Sequence, residues 1–236
     1  MDKRIKYKMV LDVETANSTD DALVYDVGFV ITDKQGRIYE RHSYVNIDIF
    51  LYESTLMKSA YYSKKIPLYK QAIKNKEYRA LPLRIIRSII YNKIKEYNIT
   101  EVYAYNASFD YRALNTTQRY VTKSKYRWFL PYGVKVKCIW HMACQVLCNQ
   151  KSYIKWAISH NKISPKGNII TNAETVYSYL RGKSNFEEKH MGLADTEIET
   201  YIMAYCFRQH KKMKENINRS CWRIPTQKAK ESLLLV

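Results

Sequence analysis

Near the amino terminus, apolar residues cluster and alternate with polar ones in the pattern of β-strands joined by short turns. Residues 7–13 (YKMVLDV) and 22–33 (ALVYDVGFVITD) are rich in β-branched and aromatic side chains, which favours strands. The following DKQGR predicts a hairpin turn at Gly36. Residues 37–47 alternate less regularly and predict a third strand. These segments together predict an antiparallel meander.

Beyond the meander, the apolar pattern changes to the helical period. Residues 48–80 show no clear period, which predicts an irregular insertion with a short helix or two. Isoleucines at helical spacing predict a helix over 83–97. The remaining segments predict, in order, a strand at 101–105, a helix from about Ser108, a strand at 134–139, and helices at 141–149, 171–182 and 193–213. Among these, the helix at 171–182 has the clearest end signals, a Thr171–Glu174 capping box and a stop at Gly182.

This order of elements predicts an α/β fold. Three antiparallel strands, a crossover helix and then alternating strands and helices imply a mixed five-stranded sheet, with two strands added in parallel and helices on both faces. A chain of 236 residues suits one such domain. We expect the domain to occupy residues 1–215 and a basic tail, interrupted by Pro225, to occupy residues 216–236.

The charge of the chain indicates a polyanionic partner. Forty Lys and Arg against 22 Asp and Glu give a net charge of +18. Nucleic acid is the favoured partner, because neutralised phosphates release their condensed counterions. The 22 tyrosines are compatible with base stacking, although most are expected in the core and on the surface. The four tryptophans are expected at core or interface positions rather than on a stacking platform.

Cysteine content and apolar runs bear on the cellular compartment. The five cysteines show no regular framework of spacings, which favours free thiols in a reducing compartment. The longest apolar runs are far too short to span a bilayer, and no signal peptide is visible. We therefore expect an intracellular, cytoplasmic protein without a membrane partner.

Three short blocks carry the candidate chemistry. In LDVET, Asp12 and Glu14 lie two residues apart and therefore on one face of a strand. Two neighbouring carboxylates repel each other unless a cation lies between them, and Mg²⁺ or Mn²⁺ suits oxygen ligands. The second block, AYNASFD, places Asp110 one helical turn after the strand at 101–105. The third places His190 five residues before Asp195, at the start of the last predicted helix.

In this order, the three blocks resemble the DEDDh exonucleases, the family of the proofreading subunit of bacterial replicative polymerases. The resemblance covers roughly residues 7–207. In the first block, the family's D-x-E-T is matched by Asp12, Glu14 and Thr15. In the second, its H-N-A-x-F-D is matched by Asn106, Ala107, Phe109 and Asp110, with Tyr105 in place of the histidine. In the third, its H-x-A-L-x-D-A is matched by His190, Leu193 and Asp195, with Gly192 and Thr196 in place of the two alanines.

The resemblance implies a ribonuclease H-like fold and a 3′–5′ exonuclease that releases 5′-mononucleotides from DNA, with a single-stranded 3′ end as substrate. It implies two Mg²⁺ (or Mn²⁺) ions roughly 3.5–4 Å apart, held by Asp12, Glu14, Asp110 and Asp195, with Asp12 bridging both. It also implies that His190 is the general base for the attacking water. Residues Thr15, Asn106 and Phe109 would contact the substrate.

Two alternatives stay open from the sequence. One is a 3′–5′ exoribonuclease of the same family, because discrimination of the 2′-hydroxyl depends on the shape of the pocket near Thr15. The other is a catalytically silent module that binds nucleic acid or acts as an inhibitor. The compact size and the bias toward Lys, Asn and Tyr would suit a bacterial or phage accessory nuclease. A replication or repair protein remains open as a partner, as does the oligomeric state.

Overall fold

One six-stranded sheet forms the centre of the computed structural model, which describes residues 2, 4–59, 63–183 and 186–232. Its strands are β1 (Lys8–Ala16), β2 (Leu23–Thr32), β3 (Ile38–Asn46), β4 (Arg79–Leu81), β5 (Glu101–Ala104) and β6 (Lys135–Cys138). Their order across the sheet is β4-β3-β2-β1-β5-β6. Strands β1, β2 and β3 form the predicted antiparallel meander, and β5 and β6 extend it in parallel from β1.

The prediction of five strands is wrong by one, because β4 lies inside the segment predicted to be irregular. This strand pairs in parallel with β3, with Val45 opposite Ala80. At three residues it is too short to show the alternation by which a strand is recognised. The rest of the insertion forms α1 (Ile47–Phe50), α2 (Ser54–Ser59), a 3-10 turn (Ser63–Lys65) and α3 (Ile66–Lys74), while residues 60–62 lie outside the described part of the chain.

Helices cover both faces of the sheet, as predicted. On one face, α4 (Leu83–Glu96) and α5 (Ala107–Thr122) pack over Leu11, Val27 and Phe29. On the other face lie α6 (Ile139–Val146), α7 (Lys151–Ser159), α8 (Ala173–Arg181), α9 (Gly192–Arg208) and α10 (Arg223–Glu231). Helix α7 was not predicted, α6 lies two to three residues earlier than expected, and α9 ends at Arg208 rather than near residue 213.

Helix α8 ends at the predicted residue, but its amino-terminal cap differs from the prediction. Gly182 ends the helix in the left-handed conformation (φ 63°), which a glycine adopts without steric cost. The amino-terminal cap, however, is Asn172 and not Thr171. The Asn172 side chain accepts a hydrogen bond from the Thr175 amide, whereas the Thr171 hydroxyl accepts one from the Trp140 indole N–H. Both residue types are good caps, and the tertiary contact with Trp140 decides between them.

Residues 216–232 pack against the helices of the second face. Helix α10 contacts α6 and α7, with Pro225 and Ala229 buried, and the Thr226 hydroxyl accepts a hydrogen bond from the Ile169 amide. The last four residues of the predicted tail, 233–236, lie outside the described part of the chain. Among the described helices, none is both long and apolar enough to cross a membrane.

Helix α9 lies against the middle of the sheet through two glycines. Gly28 of β2 faces Gly192 at the start of α9, and a methyl group on Gly28 would overlap the Gly192 carbonyl carbon. A methyl group on Gly192 would lie 2.7 Å from the Gly28 nitrogen and 3.2 Å from the Asp12 carbonyl oxygen. Backbone therefore packs directly on backbone at this point, and the first turn of α9 is held beside β1.

We expect Gly28→Ala and Gly192→Ala each to lower the free energy of unfolding by about 1–3 kcal/mol, the usual cost of an overpacked core. Because either methyl group alone separates the two backbones, the double variant should lose less than the sum of the two. Chemical denaturation of the four proteins measures this coupling. The control is Gly133→Ala, whose new methyl group would meet no atom within 4 Å. Additive losses for Gly28 and Gly192 would contradict the contact.

Candidate active site

A cleft of about 390 Å³ opens where β1 and β5 end, and it contains every residue predicted for the site. The predicted carboxylates and histidine in its lining are Asp12, Glu14, Asp110, Asp195 and His190. The predicted substrate-contact residues in its lining are Thr15, Asn106 and Phe109. Residues from three distant parts of the chain are thus brought together, and they lie at the carboxyl ends of neighbouring parallel strands.

Strand β1 supplies the first two acids. Leu11 and Val13 point into the core beneath α4 and α5, so Asp12 and Glu14 point to the opposite face, where α9 begins. The pairing of β1 with β2 shifts register between Glu14 and Thr15. Such an irregularity bends a strand and redirects its side chains, and here it lies at the edge of the cleft.

Helix α5 supplies the third acid from its first turn. Asn106 precedes the helix without a capping bond from its side chain, and its carbonyl oxygen accepts a hydrogen bond of 2.7 Å from the Phe109 amide. The Asp110 carboxylate is buried, which raises its pKa, while the nearby backbone amide of Val13 on β1 opposes that shift. The start of α5 therefore lies beside β1.

Helix α9 supplies the fourth acid, also from its first turn. Asp195 is buried, and its Oδ1 has no hydrogen-bond partner among the described residues. The start of the helix is fixed by Asp26 on β2, whose Oδ2 accepts hydrogen bonds from the Gly192 amide (2.9 Å) and the Tyr69 hydroxyl (2.6 Å). Since Tyr69 belongs to α3, the insertion helps to hold α9 in place.

His190 lies in the loop before α9, with its backbone in the left-handed region (φ 49°). Its ring can place a nitrogen within 4.8 Å of a carboxylate oxygen of both Glu14 and Asp195. Partial burial lowers the pKa of His190 below its ordinary value, and the charge of Lys65 lowers it further, while Glu174 opposes the shift. The ring therefore tends to be neutral at physiological pH, with a nitrogen able to accept a proton.

Sequence reasoning missed two acids that line the same cleft, Glu188 and Glu199, and a third acid, Glu174, that lies beside His190. Glu199 lies four residues after Asp195 on the same side of α9, and its carboxylate accepts a hydrogen bond of 3.1 Å from the Tyr105 amide. The spacing of four could have identified it. Glu188 also lines the cleft, and together with Glu174 and His190 it forms a second group whose ligand atoms lie within 4.8 Å of one another. The sequence indicated Glu174 only as part of a capping box, and no pattern indicated Glu188.

Burial and mutual repulsion raise the pKa values of the clustered acids. Burial raises the pKa of Glu14 to about 9, with Asp26 and Asp195 adding to the shift. Burial also raises the pKa of Asp110 and that of Asp195 to about 7 each. For Asp12 the pKa is raised by burial and then by the charge of Glu199. The bare cluster thus disfavours its own ionisation.

These features suit a divalent cation. The donors are carboxylate oxygens, which hard ions such as Mg²⁺ and Mn²⁺ prefer. The buried Oδ1 of Asp195 lacks a partner within the described chain, as an oxygen awaiting a cation would. Positive charge between the carboxylates would also remove the repulsion that raises their pKa values.

The fold is shared with bacterial exonuclease I. Escherichia coli exonuclease I in complex with a 5cy-dT13 oligonucleotide superposes with a TM-score of 0.54 over 87% of this chain, at 12% identity. The zinc-bound complex of the same enzyme with single-stranded DNA superposes with a TM-score of 0.54 over 88%, at 11% identity. This chain spans 41% and 42% of those two chains. The sequence matches no protein-family model, and no curated protein matches it.

Without divalent ions, the protein should melt at a lower temperature at about pH 9 than at about pH 6. The pKa values of Glu14, Asp110 and Asp195 are raised in the folded state, so folding takes up protons between the unfolded value near 4 and the folded values. Stability is therefore lost as pH rises through that window. Mg²⁺ or Mn²⁺ should restore the melting temperature at high pH.

Asp12→Asn provides the comparison for this experiment. Removing one charge relieves repulsion within the cluster, so the metal-free variant should melt at a higher temperature than the parent at high pH. It should also gain less from Mg²⁺ or Mn²⁺. Thermal melts across pH, with and without ions, measure both effects. A parent protein whose melting temperature changes neither with pH nor with added ions would refute the cation site.

Proposed function

We propose that this protein is a metal-dependent 3′–5′ exonuclease that hydrolyses phosphodiester bonds from the end of a DNA strand. The observation that carries the proposal is the convergence of Asp12, Glu14, Asp110, Asp195 and His190 on one cleft. The likeness to exonuclease I in fold supports it, although that likeness concerns architecture and not activity.

Within this proposal, the four carboxylates hold two Mg²⁺ or Mn²⁺ ions. When bound, the ions supply positive charge that neutralises the cluster and stabilises charge developing on the reacting phosphate. Asp12 would be one of the residues that hold them, because burial raises its pKa and the charges of Glu199, Asp110, Glu14 and Asp195 raise it further, so that its ionisation depends on nearby positive charge. Glu199 is buried one turn beyond Asp195 and its carboxylate accepts a hydrogen bond from the Tyr105 amide, so we assign it to holding β5 against α9.

His190 acts as the general base in this proposal. Water attacks the phosphorus of the terminal nucleotide, the bond to the 3′ oxygen of the preceding nucleotide breaks, and a 5′-mononucleotide leaves. The neutral imidazole accepts the proton that the water loses. A carboxylate of Glu188 lies 3.9 Å from His190 Nδ1, so it can stabilise the imidazolium that forms.

Thr15, Asn106 and Phe109 are the proposed contacts to the terminal nucleotide. They line the cleft on the side of β1 and α5, where a hydroxyl, an amide and an aromatic ring offer hydrogen bonds and stacking. Single-stranded DNA is the favoured substrate, because the similar exonuclease I structures are complexes with single-stranded DNA. An exoribonuclease would use the same cleft, so RNA belongs in the assay.

A silent binding module is the weaker alternative. A protein that only binds phosphate gains nothing from a buried group of carboxylates that repel both one another and the ligand. Such a group costs stability unless cations occupy it. The cluster therefore favours catalysis over binding alone.

The direct test uses oligonucleotides of DNA and RNA labelled at either end, with Mg²⁺, Mn²⁺ or EDTA. We expect a ladder that shortens from the 3′ end, releases 5′-mononucleotides and stops in EDTA, because the carboxylates cannot position a phosphodiester without cations. Asp12→Asn should abolish the ladder while keeping the fold. Products from internal cleavage, or activity undiminished by EDTA, would contradict the proposal.

Replacing His190 tests the base. His190→Asn should retain binding of Mn²⁺ and of oligonucleotide but lose about 10²–10⁴ in turnover. Asparagine is chosen because it tolerates the left-handed backbone that His190 adopts. The parent should also show an acid limb in its pH–rate profile below about pH 6.5, since the pKa of His190 is lowered, and the variant should lack that limb.

His210→Asn is the matched control. His210 is also left-handed (φ 51°) but is exposed beyond the end of α9, so its replacement should leave both turnover and pH profile unchanged. A His190→Asn protein with parental turnover and an unchanged acid limb would assign the base to another residue.

A further inference from the structure

The segment between α5 and β6 exposes a group of large aromatic side chains. Tyr126 is 78% exposed, Trp128 is 55% exposed, and Tyr132 is fully exposed. Of the two positions expected for the tryptophans, core or interface, Trp128 therefore does not occupy the core. Exposed aromatic residues clustered on one surface commonly mark a binding site.

Hydrogen bonds to α4 and α5 fix the backbone of this segment at Trp128 and Phe129. Phe129 is fully buried, and its amide donates a 2.9 Å hydrogen bond to the Asn115 side chain on α5. Arg87 on α4 donates hydrogen bonds to the carbonyl oxygens of Phe129 (2.8 Å) and Trp128 (2.9 Å). These bonds hold the backbone of Trp128 where its ring faces solvent. A rigid platform loses little conformational entropy when a ligand binds.

A cavity of about 620 Å³ lies beside these rings. Its walls come from α4, from α5 and from the exposed segment, and include Arg87, Tyr91, Tyr111, Arg127, Trp128 and Tyr132. None of the described residues that line it is acidic. Flat aromatic walls with arginines at the edge suit a planar ligand that carries negative charge.

The positive charge of this region extends along the chain. Residues 111–173 contain eleven Lys and Arg and no Asp or Glu. The Lys125 ammonium of the exposed segment lies 5.1 Å from the ring centre of Tyr126, and the guanidinium of Arg119 on α5 lies 5.6 Å from the ring centre of Trp128. Cations and rings thus alternate over the same surface, which matches the alternation of phosphates and bases in a nucleic-acid strand.

We propose that this surface, formed by Tyr126, Trp128 and Tyr132 with Lys125 and Arg127, binds single-stranded nucleic acid outside the acidic cleft. Bases stack on the three rings, and phosphates contact the two cations. A single strand fits better than a duplex, because only unpaired bases expose faces for stacking. An acidic protein could pair with Lys125 and Arg127, but its charged side chains would not stack on the exposed rings.

The surface and the cleft flank the same turn of α5. Tyr111 lines the cavity beside the aromatic surface, and the preceding residue, Asp110, lines the cleft. Helix α5 therefore borders both sites. The binding proposal does not depend on hydrolysis, however, and holds for a protein without nuclease activity.

The test measures binding without cleavage, using the full chain with Asp12→Asn in EDTA. The probes are fluorescein-labelled oligo(dT) and oligo(U) of about 16 nucleotides, followed by fluorescence anisotropy. Tyr126→Ala, Trp128→Ala and Tyr132→Ala should each weaken binding at least about fivefold, the effect of removing one stacked base. Weaker binding of either probe by these variants than by the parent supports the proposal. The probe whose binding is weakened shows whether the surface binds DNA or RNA.

Two controls separate stacking from charge and from misfolding. Tyr52→Ala removes a tyrosine that is 71% exposed in the turn after α1 and should bind as the parent does. Heparin, a polyanion without bases, should compete equally well with the parent and with the aromatic variants. Melting temperatures identify any variant that fails to fold. If Trp128→Ala fails to fold, Tyr126→Ala and Tyr132→Ala still test the proposal, because both tyrosines are highly exposed.

The cations are tested by salt dependence. Lys125→Ala with Arg127→Ala should reduce the slope of log affinity against log salt by about 0.7 for each phosphate that the variant no longer neutralises. Folded aromatic variants that bind both probes as tightly as the parent would overturn the proposal, as would an equal weakening of heparin binding. Neither result would affect the proposed exonuclease, whose test is the production of mononucleotides.

Discussion

The direct contact between Gly28 and Gly192 is the constraint on which the site depends. Side chains normally keep a helix well away from the sheet on which it packs, and two facing glycines remove that spacing. The first turn of α9 therefore lies against the backbone of β1 and β2, with Gly192 next to the Asp12 carbonyl oxygen. Asp195 belongs to that turn, so the closeness of the two acids follows from the absence of two methyl groups.

Such closeness is electrostatically unfavourable, and the surrounding structure offsets part of the cost. Asp26 is itself a buried acid, and burial raises its pKa to about 6. It nevertheless accepts hydrogen bonds from Gly192 and Tyr69, which fix the start of α9 from two sides. The insertion also brings Lys65 to this region, where its Nζ donates a hydrogen bond to the Lys189 carbonyl oxygen and its charge lowers the pKa values of Glu14 and Asp195. A segment without a recognisable period thus supports the acidic cluster.

The sequence was sufficient to predict elements and residues that follow from a local pattern. It was insufficient to predict those that depend on contact between distant segments. The long strands β1 and β2 follow from their apolar, β-branched and aromatic content, and the shared face of Asp12 and Glu14 follows from the two-residue period of a strand. In contrast, β4 has only three residues and exists because β3 offers an edge for pairing. Gly192 could be seen as a departure from the alanine of the DEDDh pattern, but its partner on β2 could not be identified without the fold. Glu199 could have been predicted from its spacing of four residues from Asp195 on a helix. Glu188 could not, because it lines the cleft only as a result of the conformation of the loop before α9.

Separation of charge connects these observations. A chain with a net charge of +18 gathers many of its acids around one cleft, while residues 111–173 carry none. Phosphate is repelled by the acids until cations neutralise them, whereas the basic surface attracts it with or without divalent ions. In the proposed exonuclease, a strand held on the basic surface would therefore reach the cleft productively only when metal is present. Since α5 carries both Asp110 and Tyr111 in adjacent positions, a single rigid helix sets the distance between the attractive surface and the acidic one.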